Sequence, residues 1–204
     1  MPEFAKREIS LRYWLQGAGY FQALEALEFG KGFHTGVRKD GFTPEFDHQL
    51  SIGQYVRTLF SGLTYPEATM ATVFLHDVRE DYGVAAEIIE SKFGSIVSSA
   101  VEALTKEFRG VKKDAAWTFR GISEDPIASI AKGADRIHNF SSMVGVFSVP
   151  KQKEYIKEGE EFFLPMLKAA RRRFPRQEPA YENIKMVLLS QMSLIKAIHA
   201  SKTE

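Results

Sequence analysis

The chain has 204 residues, of which 44% are hydrophobic and 26% charged, a balance typical of a globular protein with a sizeable core. Its 27 lysines and arginines nearly balance its 26 acidic residues, so a broad electrostatic attraction to nucleic acid or to an anionic membrane is not expected. The absence of cysteine excludes disulfides, thiol nucleophiles and thiolate metal sites, so that any metal must be held by His, Asp or Glu.

The N-terminal stretch, which begins MPEFAKREIS, lacks the apolar run of a signal peptide. No segment approaches the roughly 18 uninterrupted apolar residues that a membrane span needs, and we therefore expect a cytoplasmic protein. Apolar and polar residues then alternate at helical spacing over residues 19–32, which predicts a first helix. Residues 33–47, with Gly36, Gly41 and Pro44, predict a loop, and residues 48–61 predict another helix.

The most apolar helix of the chain is predicted to follow. Thr64-Tyr65-Pro66-Glu67 has the pattern of a capping box with proline in the first turn. It opens a segment that is almost wholly apolar from Ala68 to Leu75, and a helix that is apolar all round is a buried one. We expect this helix to continue through His76-Asp77 and Glu80-Asp81 and to end at Gly83.

The second half of the chain also favours helices. Two short helices are predicted over 84–92 and 94–105, and a loop or a poorly defined helix over 107–124. Asp125-Pro126 suits the N-cap and first position of a helix that runs to about Phe147. Pro150 starts a long charged helix that ends at Phe174-Pro175, and a last helix covers 180–200. Since strand signals are weak, the sequence predicts an all-α single domain over residues 1–204.

The dipeptide His76-Asp77 carries the clearest chemical signal. Adjacent helical side chains point about 100° apart, so both can reach one ion beside the helix. Glu80 and Asp81 follow one turn later, and ionisable groups beside a core are rarely buried unless they are paired or bind metal. The cluster favours a metal that activates water, with carboxylates managing protons. Read alone, however, the dipeptide is better explained as a histidine that ends a helix and pairs with a capping acid.

Two further segments suit the same chemistry. Lys132, Asp135 and Asn139 lie at i, i+3 and i+7 and share one helix face, which an ordinary solvated polar face explains equally well. His34 precedes the basic loop 35–41. This arrangement suits a metal ligand that lies beside basic side chains able to bind an anion. Read alone, this segment is better explained as a surface loop.

The motifs follow one another in a fixed order: His34, Arg38-Lys39-x-Gly41, His48, His76-Asp77-x-x-Glu80-Asp81, Thr105-Lys106 and Lys132-x-Ala134-Asp135-Arg136-x-His138-Asn139. In this order and spacing they resemble the hydrolase domain of the RelA/SpoT proteins, and in particular the stand-alone small alarmone hydrolases of the HD superfamily. The resemblance covers about residues 23–170. It implies an HD-domain helical bundle, and we expect 204 residues to be too few for the family's synthetase and regulatory domains as well.

The resemblance also implies an activity. It is the hydrolysis of the 3′-pyrophosphate of guanosine 3′,5′-bis(diphosphate) or its triphosphate analogue, which gives GDP or GTP and pyrophosphate with one Mn²⁺. The implied metal ligands are His34, His76, Asp77 and Asp135. Glu80 and Asp81 are implied as the residues that activate the attacking water and handle the leaving-group proton. The implied nucleotide contacts are Arg38 to the purine, Lys39 and Lys132 to phosphate, and Asn139 to the nucleoside.

The sequence departs from the family pattern beside the site. Gln49 follows His48 where the family usually has proline, which favours a structural role for His48. Arg79 replaces an apolar residue one turn after His76, within reach of a phosphate or of Asp81, and the sequence leaves its role open. Gly159 stands where the family usually has Thr, and Phe162-Phe163 stand where it usually has Ile-Tyr. A hydroxyl group is therefore lost here.

These departures leave the nucleotide open. An HD phosphohydrolase of (p)ppApp, of dNTPs or of the 2′-phosphate of NADPH needs the same metal ligands. An inactive nucleotide-binding module and a structural helical adaptor are the alternatives outside enzymes. We expect a small-molecule nucleotide as the partner, no nucleic acid and no membrane, and an oligomer is compatible with the sequence.

Overall fold

The computed structural model describes residues 2–201, which are mainly helical. The helices are α1 (Glu3–Ala18), α2 (Phe21–Phe33), α3 (Asp47–Arg57), α4 (Pro66–Leu75), α5 (Val78–Tyr82), α6 (Ala86–Leu104), α7 (Ala115–Ser123), α8 (Pro126–Met143), α9 (Val149–Glu158), α10 (Leu164–Arg173) and α11 (Glu178–Ser201). Strands β1 (Glu107–Phe108) and β2 (Val111–Lys112) form one antiparallel hairpin. The predicted all-α class is confirmed, whereas the single domain over 1–204, whose ends lie outside the described residues, stays a prediction.

Helix α1 and the segment before α8 differ from the predictions. The sequence did not predict α1, because only Leu11 and Leu15 give it a buried apolar spacing. The segment 107–124, expected as a loop or poorly defined helix, contains the hairpin and the regular helix α7. Asp114 caps α7 by accepting a hydrogen bond from the backbone N–H of Trp117 at 2.8 Å.

The start of α4 also differs from the prediction. Its N-cap is Tyr65 and no side chain caps it, so the predicted capping box at Thr64 is wrong. Glu67 instead accepts a hydrogen bond from the backbone N–H of Gln22 at 2.8 Å. Its carboxylate therefore satisfies an otherwise free donor in the first turn of α2, where negative charge is favourable.

The end of α4 matters most for the site. The helix ends at Leu75 and α5 begins only at Val78, so His76 and Asp77 lie in the break between them. The predicted continuous helix is therefore wrong, although Gly83 ends α5 as expected with a left-handed φ of 67°. Because of the break, α5 turns Glu80 and Asp81 toward the same cavity as His76 and Asp77.

Three later helices keep the predicted positions with local changes. α6 spans both predicted short helices and is kinked between them at Gly94, whose φ of 76° suits glycine. α8 is capped as predicted by Asp125, which accepts from the backbone N–H groups of Ile127 and Ala128, but it ends at Met143. A π-helical turn at Gly159–Phe163 separates α9 from α10 within the predicted charged helix.

Helix α4 lies at the centre of the core. Its residues from Thr69 to Leu75 are all buried, and α2, α3, α6 and α8 pack around it. α2 approaches α4 at Gly30, where an added Cβ would meet the carbonyl oxygen of Phe74. Such burial contributes about 1.5–3 kcal/mol for each large apolar side chain. Within residues 2–201, no helix is long and apolar enough to cross a membrane, and the cytoplasmic location stays a prediction.

Substituting alanine at Gly30 tests this close approach. Gly30→Ala should lower the free energy of unfolding by about 1–3 kcal/mol, because the new methyl group is forced against a backbone atom that cannot rotate away. Gly32→Ala in the same helix is the matched control, since nothing lies within 4 Å of its Cβ position. The control should be neutral or stabilising. Equal urea unfolding curves for the two variants would contradict the packing.

Candidate active site

A polar cavity of about 220 Å³ opens beside the break between α4 and α5. Its lining contains every predicted site residue except Lys39, namely His34, Arg38, His76, Asp77, Glu80, Asp81, Lys132, Asp135 and Asn139. Lys39 lines a neighbouring cavity of about 360 Å³, with Nζ 4.9 Å from the centre of the Phe147 ring. Because Arg38, Glu45 and Asn139 line both cavities, the two are contiguous.

The backbone of α4 orients His76. Its Nδ1 donates to the carbonyl oxygen of Val73 at 2.8 Å, which directs Nε2 away from the helix. This Nε2 is buried and makes no hydrogen bond, although it lies 2.9 Å from Oδ2 of Asp77. A buried ring nitrogen beside a carboxylate oxygen, without hydrogen-bond geometry between them, fits two ligands of one cation.

The charges of His76 and Asp77 depend on each other. Burial alone would lower the pKa of His76, but the carboxylate of Asp77 raises it to about 9. Burial alone would raise the pKa of Asp77, but the charge of His76 lowers it to about 2. His76 is buried and the side chain of Asp77 is 31% exposed, so a positive charge beside the carboxylate is favoured, and a divalent cation can supply that charge in place of the proton.

His48, expected to be structural, lies in this cluster. Its Nδ1 is 2.8 Å from Nδ1 of His138, and its Nε2 is 3.2 Å from Oδ1 of Asp135. His48, His76 and Asp77 offer ligand atoms that all lie within 4.8 Å of one another. Burial lowers the pKa of His48, so its ring is neutral, as a metal ligand must be. His48 thus lies within ligand distance of His76 and Asp77, while its contacts with His138 and Asp135 fit the structural role expected from the sequence.

His34 lies in a different group from His76. Its Nδ1 donates to the carbonyl oxygen of Gly30 at 2.9 Å, which leaves a lone pair on Nε2. The side-chain amide of Gln49 lies 3.1 Å from that nitrogen and donates to it. His34 does form a second possible ligand group with Asp77 and Asp81. The two groups share Asp77, so His34 and His76 each offer a ligand atom within 4.8 Å of a carboxylate oxygen of Asp77.

Helix α8 contributes a cation and an amide around Asp135. Lys132 Nζ lies 3.1 Å from Oδ2 of Asp135, and Asn139 donates to Oδ1 at 2.6 Å. Burial would raise the pKa of Asp135, but the charge of Lys132 and the contact with His48 hold it well below its usual value. The spacing of i, i+3 and i+7 thus brings these residues together and keeps Asp135 ionised.

The two carboxylates of α5 have different surroundings. Glu80 accepts a hydrogen bond from the backbone N–H of Lys106 at 2.8 Å, which ties α5 to the segment after α6. Burial and the nearby charges of Asp77 and Glu80 raise the pKa of Asp81 to about 6. A carboxyl group with that pKa can both take and give a proton near neutral pH.

Sequence reasoning missed Lys106 as a cavity residue. Its Nζ lies 3.8 Å from Oε1 of Glu158, and the charge of Lys132, followed by burial, lowers its pKa to about 8. Two ammonium groups that disfavour each other's charge are favourably placed for an anionic ligand. The signal was present in Thr105-Lys106, a part of the family resemblance to which no role was given.

Three comparisons place this geometry among known proteins. No protein-family model matches the chain. It is 30% identical over 149 residues to a Synechocystis protein named as a probable guanosine-3′,5′-bis(diphosphate) 3′-pyrophosphohydrolase, covering 69% of this chain and 19% of that protein. It is also 30% identical over 146 residues to an Aquifex aeolicus protein named for the same activity, covering 69% and 20%. The resemblance to the RelA/SpoT hydrolase domain is confirmed. The chain spans about a fifth of the length of these relatives.

A solved structure supports the fold. It is described as a metazoan ortholog of SpoT that hydrolyzes ppGpp, and it matches this chain with a TM-score of 0.62 at 19% identity. The match covers 80% of this chain and 93% of that one. The helices that hold the cavity thus have the arrangement expected of an HD-domain bundle.

Arg79, which departs from the RelA/SpoT pattern, points away from the cavity. It is buried, lies 2.7 Å from Oε2 of Glu102, and donates to the carbonyl oxygen of Val84 at 3.1 Å. Its guanidinium also lies 4.3 Å from the centre of the Phe108 ring. The role that the sequence left open for Arg79 is therefore a packing and pairing role outside the cavity. Arg79 joins α5 to the end of α6 and to the hairpin.

The departure at Gly159 and Phe162-Phe163 is explained by packing. A Cβ at Gly159 would lie 3.0 Å from Sδ of Met192, and Phe163 is fully buried. Phe162 stacks on Phe119 with ring centres 5.2 Å apart. The small Gly159 and the rings of Phe162 and Phe163 therefore fit together in this part of the core.

Removing the partner of Arg79 should destabilise the fold. Glu102→Gln should cost about 1–2 kcal/mol, because it leaves a buried guanidinium without a carboxylate, while the 44% exposure of the Glu102 side chain moderates the loss. The control is Glu107→Gln, which breaks an exposed pair with Lys112 and should change stability little. Thermal unfolding measures both variants. Similar midpoints for the two would contradict a structural role for the Arg79–Glu102 pair.

Proposed function

We propose that this chain is a metal-dependent HD phosphohydrolase that removes the 3′-pyrophosphate of guanosine 3′,5′-bis(diphosphate) or its triphosphate analogue. The observation that carries the proposal is one cavity in which a buried His–Asp cluster faces two lysines. Relatives named for this activity support the choice of substrate. The formal net charge is only +1, so an anionic substrate needs such a local cluster of cations.

The proposed ion is held by His34, His76, Asp77 and Asp135, the ligands that the resemblance implies. Two neutral imidazoles and two carboxylates form a nitrogen and oxygen donor set that suits Mn²⁺. The support for His34 is that its Nε2 keeps a lone pair beside Asp77, whereas both ring nitrogens of His48 already contact His138 and Asp135. A divalent ion bound there supplies a more acidic water and positive charge for the reacting phosphoryl group.

Other residues of the two cavities are proposed to bind either the phosphates or the nucleoside of the substrate. Lys106 and Lys132 are placed to bind the 3′-pyrophosphate beside the ion site. The contiguous cavity, which contains Lys39 and the Phe147 ring, has room for the nucleoside and the 5′-phosphates. Arg38 and Asn139 lie between the two cavities, where they can contact the ribose or base.

Glu80 and Asp81 are proposed as the proton-handling residues. Asp81 takes the proton of the attacking water or gives one to the ribose 3′ oxygen as pyrophosphate leaves. Glu80 holds the segment at Lys106 in place through its hydrogen bond and orients water beside Asp81. A carboxylate pair of this kind contributes about 10²–10⁴-fold to the rate.

Paired histidine variants test the ligand assignment. His34→Gln should weaken Mn²⁺ binding by at least about 100-fold, because it removes a ligand. His48→Gln should weaken it by no more than about 10–100-fold, because His48 contacts the site through Asp135. Calorimetric titration of the metal-free proteins with Mn²⁺ measures both. A larger loss in the His48 variant would make His48 the ligand instead.

A lysine variant tests the phosphate contacts. Lys106→Gln should raise KM for guanosine 3′,5′-bis(diphosphate) by about 10-fold or more while leaving Mn²⁺ affinity unchanged, since a charge-assisted contact contributes roughly 1.5–3 kcal/mol. Lys157→Gln is the control, because Lys157 is 72% exposed and lies outside both cavities. Unchanged KM in both variants would exclude Lys106 from the substrate site.

Parallel assays identify the nucleotide. With Mn²⁺, the protein should release pyrophosphate and GDP from guanosine 3′,5′-bis(diphosphate) faster than it acts on (p)ppApp, dNTPs or NADPH. Preference for one of these others would keep the metal site and change the substrate. Binding without turnover of any of them would instead identify an inactive nucleotide-binding module, and Asp77→Ala is the negative control throughout.

A further inference from the structure

Arg136 is a buried cation whose role is not explained by the proposed reaction. It lies on α8 directly after Asp135 and is 2% exposed. Its guanidinium lies 4.1 Å from the centre of the Phe163 ring and 4.5 Å from the centre of the Tyr155 ring. Its Nε and Nη1 have no hydrogen-bond partner among the described residues. A guanidinium buried in this way needs a carboxylate beside it.

Glu158, the last residue of α9, supplies that carboxylate. Nη2 of Arg136 donates to its Oε2. The other oxygen, Oε1, lies 3.8 Å from Nζ of Lys106, which lines the cavity beside the break between α4 and α5. Glu158 itself lines neither this cavity nor the contiguous one. One carboxylate thus joins a guanidinium in the core to an ammonium group at the cavity.

Lys106 depends on such a partner because cations surround it. The charge of Lys132, followed by burial, lowers the pKa of Lys106 to about 8, and Arg136 acts in the same direction. Glu158 is the strongest of the influences that raise this pKa, ahead of Asp135. Within residues 2–201, Glu158 is also the residue with a carboxylate oxygen within 4 Å of Nζ. The carboxylate of Glu158 therefore helps Lys106 to stay charged, as a phosphate contact must be.

We propose that Glu158 is a positioning residue that holds the ammonium group of Lys106 at the cavity for the 3′-pyrophosphate, an inference that rests on the proposed phosphate contact of Lys106. Arg136 anchors one oxygen of Glu158 from the core, and the other oxygen faces Lys106. Glu158 therefore acts on the substrate through Lys106 and does not touch it.

The test compares two glutamates of α9. Glu158→Gln should raise KM for guanosine 3′,5′-bis(diphosphate) about 3–10-fold with kcat and Mn²⁺ affinity unchanged, because the effect passes through one binding contact. In the Lys106→Gln background, the same substitution should change KM less than about 2-fold, since no ammonium group is left to position. Glu154→Gln is the matched control, because Glu154 is 66% exposed, pairs with Lys151 and lines neither cavity. Its KM should equal that of the wild type.

Amine labelling gives a readout that needs no substrate. Acetic anhydride at a substoichiometric amount acetylates neutral amines, and peptide mass spectrometry measures the labelling of Lys106. At about pH 7, Glu158→Gln should raise this labelling about 3-fold, because losing the carboxylate lowers the pKa of Lys106 and enlarges its neutral fraction. Glu154→Gln should label Lys106 as the wild type does.

The outcomes separate this inference from the proposed function. Unchanged labelling of Lys106 in Glu158→Gln would overturn the role of Glu158, and so would an equal rise in KM with and without Lys106. If the wild type does not hydrolyse the nucleotide, the proposed substrate fails, and the labelling of Lys106 still decides the role of Glu158. If Glu158→Gln does not fold, Glu158→Asp carries the test. It keeps a counter-charge for Arg136 but is one methylene too short to reach Lys106 as well, so an unchanged KM and labelling would overturn the inference.

Discussion

The structure depends on the burial of an ionic cluster at the point where α4 ends. α4 is buried along its length, so the residues that follow it enter the interior of the protein. There His76 and Asp77 can keep their charges only as a pair, and Asp135 only beside Lys132. Charged groups in such a place are costly unless opposite charges and hydrogen bonds compensate them. The surrounding helices supply that compensation.

Each of these helices contributes a different part of the compensation. α3 brings His48 and Gln49, α8 brings Lys132, Asp135 and Asn139, and α5 brings Glu80 and Asp81. α5 is in turn anchored from behind, because Arg79 pairs with Glu102 on α6. The site is therefore assembled from distant parts of the chain on rigid elements, which is how a metal site keeps its geometry.

The family resemblance and the contacts in the structure agree on the cavity but not on every residue near it. The order of motifs identified the right cavity, and every predicted site residue except Lys39 lines it. The structure adds most where this sequence departs from the family. Gln49 in place of proline favoured a structural role for His48, and its contacts with His138 and Asp135 fit that role. The role of Arg79 was left open by the sequence, and Arg79 packs on Phe108 outside the cavity.

The sequence by itself determined the helical class, most helix positions, the absence of thiolate chemistry and the polar residues that line the cavity. These follow from local periodicity, caps such as Asp125, and residue type, all of which act over a few neighbouring residues. Only the tertiary structure decided that α4 breaks at His76-Asp77, that His48 lies beside His76 and Asp135, and that Lys106 faces Lys132. These contacts join residues far apart in the chain, and their distances depend on how whole helices pack.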